Sequence, residues 1–412
     1  MIQYEKFTLP NGLRVLVHED KSTPMAVLDV IYNVGARDEN PNKTGFAHLF
    51  EHLMFGGSIN IPTYDEPLQV AGGENNAFTT NDLTNYYCQL PAENIETAFW
   101  LESDRMLSLA FSEKSLEVQR KVVSEEFKEH YINKPYGDVW HKIRELAYTT
   151  HPYKWMTIGK ELSHVENATL QDVKDFFFEH YTPLNAILVV AGNVDVEQIK
   201  KLAEKWFGDI PSGKKYKRNL PVEPKQLAPR SADVKANVPL DALYKCWHIY
   251  PRIDSRYYIV DLMTEIMSGG GSSRLVQSLV KEKKLFSNIE CYHLGSTDTG
   301  LLTIEGKLVK GVSMKDAEDA VIEEIKKLQR EGITEDELQK VKNKTESLMA
   351  FEDMSVVSRA TSLAMYELLG DANLINTELD KYQSVTAQEI IEESKIVFDE
   401  NNCSTLHYYA NN

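Results

Sequence analysis

Short apolar runs dominate the beginning of the chain and predict β-strands. A tight-turn sequence, Pro10-Asn11-Gly12, separates the first two runs, as it does in a β-hairpin. The run at 186–191 is apolar at nearly every position, which indicates a strand buried on both faces. The predicted strand regions are 7–9, 13–17, 26–34, 77–90 and 186–191.

Between these runs, apolar residues recur with the 3.6-residue period of an amphipathic helix. The predicted helices are 44–55, 93–108, 112–132, 169–181 and 196–207. Strands and helices in this mixture predict an α+β fold with a mixed β-sheet packed against helices.

Two segments of the first half recur in the second half in the same order. The pattern at 169–189 is Thr-x-x-x-Val, then Tyr-x-x-x-Asn, leading into Ile-Leu-Val. It returns 217 residues later at 386–406 with Ile for Val, Phe for Tyr, and Ser-Thr-Leu at the end. The pattern Leu-x-x-x-Leu-Met-x-Gly-Gly at 49–57 returns, with Ile for the second Leu, 213 residues later at 262–270. Two ordered matches at nearly the same offset predict a duplicated α+β unit.

A proline-punctuated segment separates the two halves. Residues 211–229 contain Pro211, Pro221, Pro224 and Pro229 and a basic run at 214–218. Such a polar segment buries little and forms a stiff connection. We therefore predict domains at 1–212 and 230–412 with a linker at 213–229. Two similar halves can enclose a ligand site between them.

Composition and charge exclude several classes of protein. The net charge of −17 argues against nucleic-acid binding, because a phosphate backbone requires a basic surface. No run of about 18 apolar residues predicts a membrane span, and the first residues do not resemble a signal peptide. The four cysteines lie far apart, as expected in a reducing compartment: Cys88, Cys246, Cys291 and Cys403. We expect a cytoplasmic protein, or a periplasmic one if a signal peptide was removed.

The helix predicted at 44–55 carries the candidate chemistry. His48 and His52 are four residues apart, so both imidazoles project from one face, as two ligands of one metal ion must. Glu51 lies on the margin of that face, and His-x-x-Glu-His is a known zinc-peptidase motif. The alternative is a pair of histidines on a half-buried helix face.

A third ligand is predicted on the helix at 112–132. The apolar stripe of this helix consists of Val118, Val122, Val123 and Phe127. Glu126 falls near the middle of that stripe and Glu125 on its margin. A carboxylate on an apolar face is costly unless a positive group meets it, and a metal ion would do so. The alternative is a buried Glu126 paired with a Lys or an Arg.

These residues together resemble the pitrilysin or insulysin family of inverted-motif zinc peptidases, and within it the mitochondrial-processing-peptidase-like subfamily. The resemblance spans essentially the whole chain. It rests on the segments His48–His52, Arg120–Glu126, Gly73–Thr80, Thr84–Tyr87 and His151–Gly159.

From the residues themselves we expect one Zn²⁺ on His48, His52 and Glu126, with Glu51 as the catalytic base. The resemblance alone implies the following expectations. The two α+β domains of the chain would form half of a clamshell chamber. An unfolded peptide or small protein fragment would be hydrolysed there, bound as an added strand along Asn76-Ala77-Phe78. For Asn76, a role as a turn or strand-end amide is the alternative.

Three departures from the family pattern affect the partner and the activity. Gln119 stands where many members have a second Glu, and Val280 and Ser287 stand where complete members have a substrate-contacting Arg and Tyr. The second copy of the metal helix has Asp261, Thr264 and Glu265 at the motif positions and should bind no zinc. We therefore expect a heterodimer with a related subunit that supplies the Arg/Tyr pair, or otherwise a homodimer. The rival function is a scaffold or peptide-binding subunit with little or no activity.

Overall fold

A computed structural model describes residues 1–411, which form two compact units. Unit 1 contains Met1–Glu129, Trp155–Leu220 and Ala350–Thr377. Unit 2 contains His130–Lys154, Pro221–Met349 and Glu378 onward. None of the helices in the described part of the chain combines the length and the apolar character needed to span a membrane.

Strands and helices are interspersed along the chain. The strands are β1 (Glu5–Thr8), β2 (Arg14–Glu19), β3 (Met25–Tyr32), β4 (Glu74–Thr79), β5 (Thr84–Pro91), β6 (Ala186–Gly192), β7 (Arg230–Ala236), β8 (Ala242–Ile249), β9 (Phe286–Leu294), β10 (Gly300–Leu308) and β11 (Cys403–Ala410). The α-helices are α1 (Phe46–Leu53), α2 (Asp65–Val70), α3 (Ile95–Leu107), α4 (Glu113–Phe127), α5 (Val139–Ala147), α6 (Leu162–Glu166), α7 (Leu170–His180), α8 (Val196–Phe207), α9 (Tyr257–Ser268), α10 (Met314–Glu331), α11 (Glu335–Glu352), α12 (Val356–Leu369), α13 (Leu374–Ser384) and α14 (Ala387–Val397).

Each unit is built on one mixed sheet. The two sheets share a five-stranded topology, to which unit 1 adds β1 at one edge. The sheet of unit 1 has the order β1-β2-β6-β3-β5-β4, and that of unit 2 has the order β7-β11-β8-β10-β9. In both, the first of the five shared strands runs parallel to its neighbour, as β2–β6 and β7–β11 show, and the remaining pairs are antiparallel. The α+β class is confirmed, and the matching strand order supports the duplication.

The repeated sequence pattern corresponds to repeated helices. α7 begins with a capping box between Thr169 and Asp172, and α14 begins with the same box between Thr386 and Glu389. In such a box each side chain accepts the backbone N–H of the other residue, so two donors at the helix start are satisfied. Both helices then lead into the corresponding strand of their sheet, β6 or β11, which is the second of the five shared strands.

The compact units do not follow the predicted division into 1–212 and 230–412. Residues 130–154 belong to unit 2, where α5 packs on the sheet, and residues 350–377 belong to unit 1, where α12 packs on the sheet. The reason lies in strands such as β6, which is buried at every position. A sheet that is apolar on both faces needs helices on both faces.

The segment 213–229 has no regular secondary structure, but it is anchored in both units. In unit 1, Arg218 forms a bidentate pair with Asp38. In unit 2, the buried Glu223 accepts the backbone N–H groups of Thr149, Thr150 and His151. The predicted linker is therefore a fixed part of the fold along much of its length.

Two predicted elements differ from the structure in detail. The run at 77–90 is a hairpin of two strands, because the segment 80–83, with three polar residues followed by Leu83, forms a turn. The helix predicted at 112–132 is α-helical only to Phe127 and ends in a short π-helical segment, Lys128–Ile132.

Candidate metal centre

Helix α1 positions its polar residues by burying the opposite face. Phe46, Ala47, Leu49, Phe50 and Leu53 are buried. Phe50 stacks on the ring of Tyr181 in unit 1, with centroids 5.2 Å apart. His48, Glu51 and His52 therefore point away from this aromatic core.

The third predicted ligand lies on α4, but its helical face differs from the prediction. Val118 and Val122 are 48% and 44% exposed, so they do not belong to a buried stripe. The buried residues of the helix are Leu116, Val123, Ser124 and Phe127. Glu126 lies on the margin of this face with about a third of its side chain exposed, while Glu125 is solvent-exposed and paired with Lys128.

His48, His52 and Glu126 nevertheless converge. A Glu126 carboxylate oxygen lies 3.8 Å from His48 Nε2, and the other lies 3.5 Å from His52 Nε2. All three donor atoms fall within 4.8 Å of one another, and no other group of three His, Cys, Asp or Glu in residues 1–411 does so. Zinc bonds of about 2.0–2.2 Å place the donor atoms of a tetrahedron about 3.3–3.6 Å apart. The donor set fits a zinc ion.

The protonation of His48 suits metal binding. Burial lowers the pKa of His48 to about 4, and the Glu126 carboxylate opposes this effect while His52 adds to it. The imidazole is therefore neutral at neutral pH, as a metal ligand must be. The rings of His48 and His52 are nearly perpendicular, with centroids 4.8 Å apart.

Glu51 is oriented by a residue that sequence reasoning missed. The Thr79 hydroxyl donates to a Glu51 carboxylate oxygen at 2.6 Å. Burial raises the pKa of Glu51 above its ordinary value, and the hydrogen bond from Thr79 acts in the opposite direction. Thr79 is two residues after Ala77 in β4, so strand alternation was the signal that could have placed both on the face towards α1.

The three predicted substrate-binding residues differ in their surroundings. β4 is the edge strand of the sheet of unit 1. The Ala77 N–H is bonded to Asn76 Oδ1 at 2.8 Å, so it is not used in pairing with β5. Asn76 is exposed. Phe78 packs against the apolar cluster that includes residues of α12, on the face of the sheet opposite to Ala77 and Thr79.

The residues that depart from the family pattern have local roles. Gln119 is half-buried on α4. In unit 2, Val280 packs against the core, and the Ser287 hydroxyl donates to the Lys307 carbonyl at 3.1 Å. Asp261 accepts hydrogen bonds from Tyr382 and His293.

Comparison with known proteins identifies the family of the chain. Residues 14–159 match the sequence profile "Insulinase (Peptidase family M16)", and residues 167–345 match "Peptidase M16 inactive domain". The "Zinc protease PqqE" of Helicobacter pylori is 30% identical over 346 residues, which cover 82% of this chain and 78% of the relative. The chain belongs to peptidase family M16.

Other family M16 relatives include an organellar subunit and a solved structure. The "Mitochondrial-processing peptidase subunit beta" of Saccharomyces cerevisiae is 30% identical over 206 residues, or 49% of this chain and 44% of that protein. A crystal structure described as a protease from Helicobacter pylori superposes with a TM-score of 0.93 at 26% identity, over 99% of this chain and 100% of the other. All the predicted metal residues lie within the Insulinase match, ahead of the inactive-domain match.

Proposed function

We propose that this family M16 chain is a zinc metalloendopeptidase subunit that hydrolyses unfolded peptides. The observation that carries the proposal is the convergence of His48, His52 and Glu126 beside Glu51. Two nitrogen donors, one carboxylate and a further position for water are the composition of a catalytic zinc site. Relatives named as zinc proteases support the choice of metal.

The residues of the chain divide the chemistry among them. His48, His52 and Glu126 would hold one Zn²⁺. When bound, zinc supplies Lewis acidity that lowers the pKa of water to about 7 and polarises a carbonyl. Glu51, held by Thr79, accepts a proton from the attacking water and returns it to the leaving amine. The raised pKa of Glu51 suits a group that must both accept and release a proton.

The substrate would be an extended peptide added to the edge of β4. Main-chain hydrogen bonds bind a strand of almost any sequence, which suits an enzyme that cleaves unfolded chains. Ala77 lies at the centre of this edge, and Thr79 on the same face contacts Glu51. The Asn76 amide, which bonds the Ala77 N–H, would have to turn away when a peptide binds.

The partner would be a related subunit that supplies an Arg and a Tyr. Val280 and Ser287 cannot provide the cation and the phenol that stabilise a developing oxyanion. The nearby alternatives are committed elsewhere: Arg274 pairs with Glu337, and the Tyr292 hydroxyl donates to Glu305. A heterodimer would therefore be the active form, with a homodimer as a weak enzyme.

The presence of Val280 and Ser287 in place of an Arg and a Tyr also favours a second function, a peptide-binding or scaffold subunit with little activity. The discriminating experiment compares Glu51→Gln with wild type, alone and with candidate partner subunits. We expect the variant to keep its zinc by elemental analysis and to lose about 10²–10⁴ in turnover of an unstructured peptide. Glu125→Gln is the matched control, because Glu125 is an exposed carboxylate that pairs with Lys128.

The outcomes separate the two functions. Equal turnover by wild type and zinc-loaded Glu51→Gln would contradict the assignment of the base. Zinc binding without hydrolysis by wild type, even with every candidate partner, would favour the scaffold. Full activity of the isolated homodimer, as followed by light scattering, would contradict the heterodimer.

A further inference from the structure

The N-terminus of α1 obtains its capping group from elsewhere in the chain. The N-cap residue is Gly45, which has no side chain to accept the free N–H groups of the first turn. Another residue does not fit there. Gly45 has φ +88°, and an added Cβ would lie 2.7 Å from the Ile158 carbonyl oxygen.

A buried carboxylate supplies the missing acceptors. Glu39 is 6% exposed, and its two oxygens accept the N–H of Gly45 at 2.9 Å and the N–H of Ala47 at 2.8 Å. These are charge-assisted bonds at the positive end of the helix dipole when the carboxylate is ionised. The next residue after Ala47 is His48.

The segment before Glu39 is fixed on several sides. Arg37 pairs with Asp82 at 2.8 Å, and Asp38 is bound by Arg218. The Trp155 indole N–H donates to the Ala36 carbonyl at 2.8 Å. A carboxylate carried by such an anchored segment can fix the position of the helix that it caps.

We propose that Glu39 is a positioning residue for the metal centre, which fixes the start of α1 so that His48 and His52 face Glu126. This inference rests on the proposed zinc site. α1 has only eight residues, so both histidines lie within two turns of the cap. Loss of a helix cap typically changes an equilibrium constant by about 2–30-fold, and here the change would act on the placement of both histidines.

The test compares two cap variants in the full chain. Burial raises the pKa of Glu39 to about 8, so the variant is chosen to test its two acceptor oxygens rather than its charge. Glu39→Gln keeps the shape and replaces one of these oxygens by an NH₂ group, which cannot accept a hydrogen bond. Asp195→Ala removes the cap of α8, where Asp195 accepts the N–H groups of Glu197 and Gln198. α8 also belongs to unit 1 but carries no predicted ligand, so Asp195→Ala controls for general destabilisation. Zinc affinity is measured by chelator competition with zinc alone, and stability by urea unfolding.

We expect Glu39→Gln to weaken zinc binding about tenfold and Asp195→Ala to leave it within about twofold. Amide hydrogen exchange of the metal-free protein is the second measurement, and Glu39→Gln should speed exchange in 45–53 but not in α8. Unchanged zinc affinity in folded Glu39→Gln, or equal weakening by Asp195→Ala, would overturn the inference. If wild type binds no zinc, the proposed function fails, and the exchange rate in α1 still decides the role of Glu39.

Discussion

Helix α1 of unit 1 and helix α9 of unit 2 hold corresponding places in duplicated folds. Each lies beside the edge strand of its sheet, β4 or β9, and contacts it through side chains. At the three motif positions, α1 has His48, Glu51 and His52. α9 has Asp261, Thr264 and Glu265 at the positions 213 residues later.

The polar groups of α9 pair within unit 2. Asp261 accepts a hydrogen bond from the Tyr382 hydroxyl at 2.6 Å and lies 2.8 Å from His293 Nε2. Glu265 pairs with Lys344, and the Thr264 hydroxyl donates to the Asp261 carbonyl. Each polar group has its own protein partner, so these residues do not converge on a shared point.

Both His48 and Asp261 have a lowered pKa, but the effect on charge is opposite: it favours the neutral imidazole of His48 and the charged carboxylate of Asp261. Burial lowers the pKa of His48 to about 4, which favours the neutral ligand. Burial also acts to raise the pKa of Asp261, but the hydrogen bonds from His293 and Tyr382, together with the electrostatic attraction of His293 and Arg252, lower the pKa overall. The comparison teaches that a polar helix face can form a metal site when its donor atoms converge on one point, as in unit 1. In unit 2 each polar group is instead held by its own protein partner.

The strongest test of this contrast is the third ligand. Glu126→Gln should weaken zinc binding by more than about 100-fold, because a ligand counts for more than an outer partner. Glu125→Gln should leave zinc affinity unchanged, since that side chain points to solvent and pairs with Lys128. Chelator competition measures both. Loss of zinc in Glu125→Gln alone would mean that α4 is placed one residue out of register.

The second test breaks the paired site of unit 2. Asp261→Ala leaves the Tyr382 hydroxyl and His293 Nε2 without their acceptor and should cost about 1–3 kcal/mol in the free energy of unfolding. Zinc affinity should not change. Because the pKa of Asp261 is lowered in the folded state, its contribution is complete above the ordinary value of 3.8 and is lost as the pH falls through the folded value.

Urea unfolding at several pH values measures this contribution. The difference between wild type and Asp261→Ala should be constant from neutral pH to about pH 5 and narrow in stronger acid. If Asp261→Ala lowered the zinc affinity, the polar site of unit 2 would influence zinc binding in unit 1, and the prediction would be wrong.

The third test concerns the hydroxyl that orients Glu51. Thr79→Val should lower kcat about tenfold, because a hydrogen bond to a charged group is worth about 1.5–3 kcal/mol and part of it survives through water. KM and zinc content should stay near wild type, and Thr79→Ser should restore kcat. An equal loss in Thr79→Ser would point to packing of the methyl group instead.

Much of the fold could be predicted because its signals are local. The hairpin turn at Pro10-Asn11-Gly12, the apolar run of β6 and the repeated caps of α7 and α14 are each readable within a few residues. The exchange of 130–154 and 350–377 between the units was not readable. Periodicity shows that α5 and α12 are amphipathic, but it does not say which sheet they cover.

The candidate site divides in the same way. The spacing of His48 and His52 follows from the helical period. Glu126 was chosen from an apolar stripe that includes Val118 and Val122, and both proved exposed, so that part of the argument was wrong. Glu126 nevertheless lies beside the two histidines, and its role as a ligand stays a prediction. The contact between Thr79 and Glu51 joins residues 28 positions apart. Strand alternation places Thr79 on the same face as Ala77, but it does not show that Glu51 lies against that face.

The smallest expected effect comes from the ion pair of Glu265, which stands at the position of His52 in unit 2, with Lys344. Glu265 and Lys344 are 28% and 41% exposed, so solvent screens their attraction. Lys344→Met keeps the apolar stem and removes the charge, and it should cost less than about 1 kcal/mol in the free energy of unfolding. The cost should shrink further at high salt, because exposed ion pairs are screened within about 3 Å at 1 M. Urea unfolding at low and high salt measures both quantities, with zinc affinity as the control. A loss of unfolding free energy well above this range, insensitive to salt, would mean that Glu265 is buried and paired in solution. Unit 2 would then keep a polar site as tightly built as the candidate metal centre of unit 1.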